Sequence, residues 1–272
     1  MHVVLSKHQA LGNDFLVLDL DQDPTLAARD DWSEVAIRLC DRRFGVGADG
    51  LLLLRSTEAG RLHMILHNSD GGRAEMSGNG IRCLVQAAHW AGGGTDGAEY
   101  LVHTDAGDKV VVVEGWSDDD TVQVVVDMGV VDEIDEPSGW ASLECHPDRP
   151  VSHVSLGNPH AVVGVDDVEA VDLVALGTLV PHVNLEIVEP GPESHAITMR
   201  VHERGAGITL ACGTGACASA AAALSWGLVP ATTSEVLVHM PGGDARVRFD
   251  RGTRVATLVG PAAFVASITV HL

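Results

Sequence analysis

The stretch Ser77-Gly78-Asn79-Gly80 runs directly into an apolar segment, and Cys212-Gly213-Thr214-Gly215 does the same about half the chain later. Each stretch places a hydroxyl or thiol just before Gly-x-Gly at the predicted start of a helix. Exposed backbone N–H groups and the positive end of the helix dipole bind carboxylates there, and the same field lowers the pKa of a cysteine. Two such helix starts predict a protein that holds one small anion between two side chains that exchange protons.

A glycine-rich polar loop precedes each of these stretches. Asn68-Ser69-Asp70-Gly71-Gly72 comes before Ser77, and Glu203-Arg204-Gly205-Ala206-Gly207 comes before Cys212. Glycines in such loops permit close approach of the backbone to a ligand, and the planar guanidinium of Arg204 can bind a carboxylate through two hydrogen bonds. The repeated order of loop, polar residue and helix predicts two related domains.

We place the domain boundary in the acidic, glycine-containing segment 114–120, which has the composition of a surface connection. The predicted N-terminal domain is 1–119, joined by the C-terminal strand at about 264–272, and the predicted C-terminal domain is 120–263. A length of 272 residues with 46% hydrophobic content is sufficient for two cores of this size.

Composition and charge exclude several classes of protein. The formal net charge of −21 repels phosphate backbones, which argues against a nucleic-acid partner. The sequence contains neither an apolar run of membrane-spanning length nor a signal-peptide pattern, so we expect a cytoplasmic protein with no membrane partner. Five scattered cysteines without an export signal are expected to be thiols rather than a disulfide framework.

Sheet dominates the predicted secondary structure, and helices are few. The segment 214–224 is small and apolar on every side, so it is predicted to be a helix buried all round and surrounded by sheet. The other predicted helices are 32–42, 79–91 and 168–176. The predicted strands are 2–5, 62–67, 110–113, 122–126, 151–155, 160–165, 196–201, 236–239 and 245–249.

Three competing motifs are weaker. Gly213 to Ala218 matches the dinucleotide pattern G-x-G-x-x-A, but Glu235, at the spacing of a ribose-binding acid, begins an apolar run instead of ending a parallel strand. His63 and His67 lie in an extended segment without the H-E-x-x-H pattern of a zinc site. We therefore predict no metal and no cofactor.

Six segments, taken together, resemble the diaminopimelate epimerase family over essentially the whole chain. In chain order they are 11–15, 44–50, 68–71 with 74–83, 157–160, 203–205 and 211–216. The resemblance implies an α/β fold of two pseudo-twofold-related domains, each a curled, mainly antiparallel sheet around a central helix, with the active site in the cleft between them. Homodimers are common in the family.

The resemblance also implies a cofactor-independent reaction, in which one side chain removes the α-proton of an amino acid and another returns a proton on the opposite face. The family uses two cysteines for this, and here Cys212 matches the second while Ser77 stands at the first. A hydroxyl is a far weaker acid than a thiol, so serine needs a strong neighbouring base. Ile208 is a second departure, since the family often has an acidic residue there.

The family pattern assigns the remaining site residues position by position. His160 and Glu203 flank the reacting centre and join Ser77 and Cys212 as the catalytic set. The substrate-binding set is Asn13, Asn68, Gly78, Asn79, Asn158, Asn184, Arg204, Gly213 and Thr214. The pattern of the residues around Asn184 alone predicts an exposed strand position.

The preferred function is epimerisation of LL-diaminopimelate to the meso form, in the biosynthesis of lysine and the cell wall. A related isomerase, racemase or dehydratase that tolerates serine is the enzymatic alternative. A catalytically silent amino-acid-binding homologue is the alternative from a different class. Ser77 fits an engineered change, a natural variant or a relative with another reaction, and the second departure at Ile208 favours natural divergence.

Overall fold

The computed structural model describes residues 1–116 and 120–272. Its helices are α1 Trp32–Cys40, α2 Gly78–Ala91, α3 Leu173–Leu179 and α4 Gly213–Trp226. The first strands are β1 His2–Ala10, β2 Asn13–Asp19, β3 Gly50–Glu58, β4 Arg61–Asn68, β5 Arg73–Ala74, β6 Glu99–Thr104, β7 Gly107–Trp116 and β8 Thr121–Val130. The later strands are β9 Asp132–Glu133, β10 Val151–Ser155, β11 Pro159–Gly164, β12 Asn184–Pro190, β13 Ala196–Glu203, β14 Gly207–Thr209, β15 Val236–Met240, β16 Gly243–Phe249 and β17 Val255–His271.

The chain forms two compact units. The first unit comprises Met1–Val126 together with Gly260–Leu272, and the second comprises Asp127–Val259. The unit limits therefore fall within β8 and within β17. Residues 117–119, which carry most of the predicted acidic connection, lie outside the described part of the chain.

In the first unit the strands are hydrogen-bonded in the order β17, β1, β2, β3, β4, β6, β7, β8. The pairs β2–β3 and β4–β6 are parallel, and the other pairs are antiparallel. The short strand β5 pairs with the end of β4 immediately before α2 begins. The loop that leads to Ser77 is thereby held against the sheet.

In the second unit the same pattern recurs with β9, β10, β11, β12, β13, β15, β16 and the N-terminal part of β17. Here β11–β12 and β13–β15 are the parallel pairs, and the short strand β14 pairs with the end of β13 immediately before α4 begins. The half-chain repeat predicted from the sequence is confirmed at the level of topology, and so is the α/β class with few helices.

Each unit packs its sheet around one central helix. Helix α2 contacts β1, β2, β3, β4 and β7, and α4 contacts β10, β11, β12, β13, β15 and β16. In α4 the run Ala216–Ala223 is buried at every position, as its small apolar side chains predict. Alanine allows strands to approach the helix from all sides because it adds little bulk and has the highest helix propensity.

Helix ends follow their local signals with one exception. Gly227 ends α4 in the left-handed conformation, with φ of 76°. The predicted helix 168–176 is wrong in its first half, because Val168 donates its backbone N–H to Glu189 and the helix begins only at Leu173. Asp172 supplies the cap, since its Oδ1 accepts from Ala175 N.

The predicted strands are all present, and the predicted C-terminal strand forms the last part of the long β17. The additions are β2, β3, β6 and β12, together with the short strands β5, β9 and β14. Strand β3 was not predicted because Leu51–Leu54 is buried at every position, and a strand covered on both faces has no alternation of polar and apolar residues. Within 1–116 and 120–272, no helix has the length and apolarity needed to cross a membrane.

Candidate active site

Cys212 lies at the N-terminus of α4, where it is extended and 5% exposed. Its Sγ accepts a hydrogen bond from the backbone N–H of Gly215 at 3.4 Å, so the thiol caps the helix. A Cβ on Gly215 would lie 2.7 Å from Glu186 Oε1 and 3.2 Å from the Cys212 Cβ. Glycine is required at this position because the sulfur and a carboxylate approach the helix there.

Glu203, the last residue of β13, is placed beside Cys212. Its Oε1 accepts a hydrogen bond from Thr209 Oγ1 at 2.5 Å, and its side chain is also hydrogen-bonded to Cys212. Burial raises the pKa of Glu203, and these hydrogen bonds partly oppose the shift. A carboxyl group of this kind can exchange a proton with the thiol.

The pKa of Cys212 is raised well above its ordinary value, first by burial and then by the negative charges of Glu203 and Glu186. The sequence-based expectation of a lowered pKa is therefore wrong. The hydrogen bonds from Thr214 and Gly215 lower the pKa but do not outweigh desolvation and two carboxylates. Cys212 is at rest a thiol, which is the form that donates a proton.

A chain of hydrogen bonds links Cys212 to the interior of the second unit. Glu186 Oε1 lies 2.7 Å from His160 Nδ1, and His160 Nε2 lies 3.2 Å from Asn158 Oδ1. Asn158 Nδ2 donates to Thr214 Oγ1 at 3.2 Å, and Thr214 Oγ1 lies 3.5 Å from Cys212 Sγ. Glu186 and His160 are both fully buried.

The structure places Asn184 in the interior and Arg204 at the surface. Asn184, predicted as exposed from its own context, is 4% exposed at the start of β12. Its Oδ1 accepts from the backbone N–H of Arg204 at 2.8 Å, and its Nδ2 donates to Pro159 O at 3.2 Å. Asn184 therefore fixes the loop after β13, while the residue Arg204 is exposed. Ile208 is also exposed, at 41%.

Ser77 caps α2 in the first unit with the geometry that Cys212 has in the second. Its Oγ accepts from Gly80 N at 3.0 Å, and its backbone is extended like that of Cys212. Ser77 is half-buried. Helix α2 begins at Gly78, and the start of a helix directs backbone N–H groups outward, which suits it to bind an anion.

The side chains beside Ser77 form a polar network that ends on a buried arginine. Asn79 Nδ2 donates to Asn13 Oδ1 at 3.3 Å, and Asn13 Nδ2 donates to Asp49 Oδ2 at 2.6 Å. Asn79 Oδ1 accepts from Arg82, whose guanidinium is fully buried and also donates to Gly78 O. Asn68 is exposed at the end of β4.

The predicted site residues thus fall into two groups, one in each unit. The first group is Asn13, Ser77, Gly78 and Asn79, with Asn68 at the end of the neighbouring strand. The second group is Asn158, His160, Asn184, Glu203, Arg204, Cys212, Gly213 and Thr214. Sequence reasoning missed Glu186, Asp49 and Arg82. A charged residue inside the apolar run 183–188 was the available signal for Glu186.

Two negative observations concern cofactors. Within the described ranges, no group of three or more His, Cys, Asp or Glu side chains is arranged to hold a metal ion. Glu235, the candidate ribose-binding acid, instead accepts a hydrogen bond from Arg248 at 2.9 Å. Its carboxylate is occupied by an ion pair within the β15–β16 hairpin region.

A buried thiol and carboxyl group at a helix start that offers backbone N–H groups define a class of proteins that move protons on small carboxylate molecules. Comparison with known proteins makes the assignment specific. The family model for diaminopimelate epimerase matches residues 5–134 and 152–265. The chain belongs to the diaminopimelate epimerase family.

Individual relatives support this family assignment. The diaminopimelate epimerase of Synechococcus sp. strain JA-2-3B'a(2-13) is 41% identical, covering 97% of this chain and 96% of its own. That of Thermosynechococcus vestitus is 39% identical, covering 99% and 100%. Among solved structures, a phenazine biosynthesis protein of the PhzF family from Bacillus anthracis has a TM-score of 0.75 over the full length of both chains at 14% identity, which supports the fold alone.

Proposed function

We propose that this protein is a cofactor-independent epimerase that converts LL-diaminopimelate to meso-diaminopimelate by moving the α-proton. The observation that carries the proposal is the buried Cys212 thiol at the start of α4, hydrogen-bonded to Glu203. Relatives that are about 40% identical over nearly their whole length are diaminopimelate epimerases. The activity is that of an isomerase, because no atom other than the proton is exchanged.

Cys212 acts as one of the two acid/base groups. At rest it is a thiol and delivers a proton to the planar carbanion formed at the α-carbon. Glu203 accepts or restores the thiol proton, because its hydrogen bond to Cys212 and its raised pKa favour an exchangeable proton between the two groups. His160 orients the site through Asn158.

We assign Ser77 the role of the other acid/base group, as the family pattern implies. Its hydroxyl is an adequate proton donor to a carbanion but a weak base, since alcohols ionise far above the range of thiols. We therefore expect slower abstraction of the α-proton on the Ser77 side than on the Cys212 side.

The remaining residues bind the substrate. Backbone N–H groups of Gly78 and Asn79 and of Gly213 and Thr214 hold the carboxylate at the reacting end. We assign the distal amino-acid group of the substrate to Asn13, Asn68, Asn158 and Arg204. The family pattern adds Asn184, whose side chain in this structure holds the backbone of Arg204 in place. The exposed position of Arg204 and the position of Asn68 at the open end of β4 support contact with a ligand.

The test is incubation of the protein with LL-diaminopimelate in deuterated water, with α-proton exchange and inversion followed by NMR and chiral analysis. Deuterium at the α-carbon together with meso product supports the proposal. Exchange with no inversion at all, or elimination, points to a related isomerase, racemase or dehydratase. Binding of the substrate with no exchange points to a silent homologue and contradicts the proposal.

We further propose the setting of the reaction. Diaminopimelate epimerisation belongs to lysine biosynthesis, and five cysteines that form no disulfide among the described residues suit the reducing cytoplasm. We propose that the protein is a homodimer, which light scattering on a size-exclusion column tests directly. We also propose that the two predicted domains, 1–119 with 264–272 and 120–263, correspond to the two compact units.

A further inference from the structure

A cavity of about 290 Å³ lies in the second unit, on the face of the sheet opposite α4. Its floor is formed by Val163 on β11 and by Leu185 and Ile187 on β12, each of which is at most 9% exposed. These side chains alternate along their strands with His160 and Glu186, which face α4. The described residues that line the cavity include none of the predicted site residues.

The walls of the cavity are apolar and accessible. Four half-buried side chains form them, namely Leu143, Val165, Val171 and Leu176. They pack against the apolar core of the second unit, so the cavity opens into that core. A molecule that enters the cavity removes apolar surface of the walls and of its own from water, which is the main source of affinity in such sites.

The opening of the cavity carries charges that are largely used within the protein. Arg149 Nη2 donates to Asp166 Oδ2 at 2.6 Å, and Asp167 Oδ1 accepts the backbone N–H of Glu169 at 2.8 Å. Two acids and one arginine at the opening disfavour an anionic ligand. A charge carried further in would be buried against apolar side chains at a high cost. The lining therefore favours an uncharged molecule.

The first unit shows how the equivalent sheet face is covered. There α1 contacts β3 and β4, and its Trp32 and Leu39 belong to the same apolar core as Leu51 of β3. In the second unit α3 contacts β12 and β13, but it is shorter and buries only Leu173 and Gly177. The apolar cover of β12 therefore contains less side-chain volume than that of β3, which leaves room for the cavity.

We propose that this cavity is a binding site for a small, uncharged apolar molecule of one or two rings. Its volume is about twice that of an apolar cavity of about 150 Å³ that binds benzene. Rigid rings lose little conformational freedom on binding. The rings lie on Leu185 and Ile187, and an N–H or hydroxyl group of the ligand faces Asp167 at the opening. The inference does not depend on the proposed function, because the acid/base residues take no part in it.

The experiment uses Cys145, which lines the cavity, as a reporter. Cys145 is half-buried, whereas the other four cysteines are buried. Indole is the probe, because its two fused rings are uncharged and carry one N–H donor. The rate of Cys145 alkylation by iodoacetamide is measured at increasing indole concentrations, with the modified peptide quantified by mass spectrometry. At ten times the Kd of indole, alkylation should slow about tenfold, because only about a tenth of the cavity remains free.

A second compound tests the charge of the ligand. Indole-3-acetate has the same rings and adds a carboxylate, which meets Asp166 and Asp167 at the opening. It should need a concentration at least about tenfold higher than indole for the same protection of Cys145. Equal protection by the two compounds would contradict a site for an uncharged molecule.

Two variants that fill the cavity make the test specific. Val171→Trp fills it from the wall and Ala170→Trp from the opening, and each should abolish the protection by indole. Val174→Trp, at a 55% exposed position on α3 outside the lining, should retain it. Thermal melting checks that each variant is folded, and Ala170→Trp, at an exposed position, decides the question if Val171→Trp does not fold. Protection that is absent in the wild type, or that persists in the folded filled variants, would overturn the proposal.

Discussion

The starts of α2 and α4 have the same backbone geometry, but their side chains differ in the ability to exchange protons. In both, an extended residue caps the helix through its side chain, accepting from the N–H group three residues later. In both, a short strand pairs with the end of a longer one just before the cap. The cap is a hydroxyl in one case and a thiol in the other, and the surroundings differ even more.

The strand registers identify which residues are equivalent. Phe15 lies opposite Gly50 in β2–β3, as His160 lies opposite Asn184 in β11–β12. Two residues further along the second strand of each pair are Leu52 and Glu186. A Cβ on Gly80 would meet Leu52, just as one on Gly215 would meet Glu186. An apolar pair thus replaces the buried His160–Glu186 pair beneath Ser77.

Glu203, the other acid at the start of α4, also has an uncharged equivalent in the first unit. Asn68 ends β4 where Glu203 ends β13, because His67 pairs with Arg73 as His202 pairs with Ile208. The start of α4 therefore has four titratable side chains, and their equivalents at the start of α2 are a serine, an asparagine and two apolar residues. Glycines and caps maintain the shared scaffold, whereas the proton chemistry depends on side chains that the scaffold does not dictate.

The largest effect is expected when the thiol at the start of α4 is removed. Cys212→Ala should lower α-proton exchange by about 10²- to 10⁴-fold, the range for loss of a general acid or base. Cys217→Ala, at a buried position in the same helix, removes a thiol outside the site and should change the rate little. The exchange rate in deuterated water measures both. Equal losses in the two variants would show that packing, not proton transfer, is at stake.

Making the two helix starts more alike should have the opposite effect. Ser77→Cys should raise the rate of inversion by about 10- to 100-fold, because a thiol is a better base than a hydroxyl at neutral pH. Ser56→Cys, which adds a thiol at an exposed position on β3, is the control. Chiral analysis of the product gives the rate. An unchanged rate in Ser77→Cys would mean that Ser77 does not limit the reaction.

The first unit contains a buried histidine, His8, which predicts that the stability of the protein falls in acid. Burial lowers the pKa of His8 to about 4, while a hydrogen bond to Gln86 partly opposes the shift. The unfolded chain binds this proton from about pH 6.5 downward and the folded chain only near pH 4, so stability is lost as the pH falls through that window. The loss attributable to His8 is about 3 kcal/mol.

Urea unfolding of His8→Gln between pH 4 and 7 tests this prediction. The difference in unfolding free energy between wild type and variant should shrink steadily as the pH falls from 6.5 to 4. The exposed His2 provides a control, since His2→Gln should keep a constant difference. A pH-independent difference for His8→Gln would contradict a neutral buried His8.

The smallest effect concerns Glu203, whose equivalent in the first unit is the uncharged Asn68. Burial raises its pKa in the folded state, so stability falls as the pH rises from about 4.5 through the raised value, where the buried group must ionise. Glu203→Gln removes this cost and should gain about 2–4 °C in Tm at pH 8 relative to pH 5. Exposed Glu99→Gln should give no such trend in a differential scan.

Much of the fold was predictable because its signals are local. The two helix caps, the glycine stops and the small apolar residues of α4 each specify an element without reference to the rest of the chain. The strands that were missed, such as β3, are covered on both faces and lack alternation. The boundary of α3 depended on a distant partner, since Glu189 binds the Val168 N–H group.

The site was predictable to the extent that it lies near the helix starts. Asn13, Ser77 and Cys212 were found through motifs, but the pKa of Cys212 was predicted in the wrong direction. A helix start lowers the pKa of a cysteine only when desolvation and nearby carboxylates do not exceed its field, and both Glu203 and Glu186 reach the sulfur from other strands. The sequence places neither acid next to the thiol.

The most direct test of this difference between the two helix starts is made in deuterated water. It compares the rate of α-proton exchange with the rate of inversion, starting from each epimer in turn. Proton abstraction should be faster at Cys212, where Glu203 can take up the thiol proton, than at Ser77, which has no equivalent acid beside it. Exchange should therefore exceed inversion when one of LL- and meso-diaminopimelate is the starting material, and should equal it from the other. Ser77→Cys should abolish the excess. Equal exchange and inversion from both epimers in the wild-type protein would contradict the account, since Ser77 would then serve as a base as well as Cys212 does.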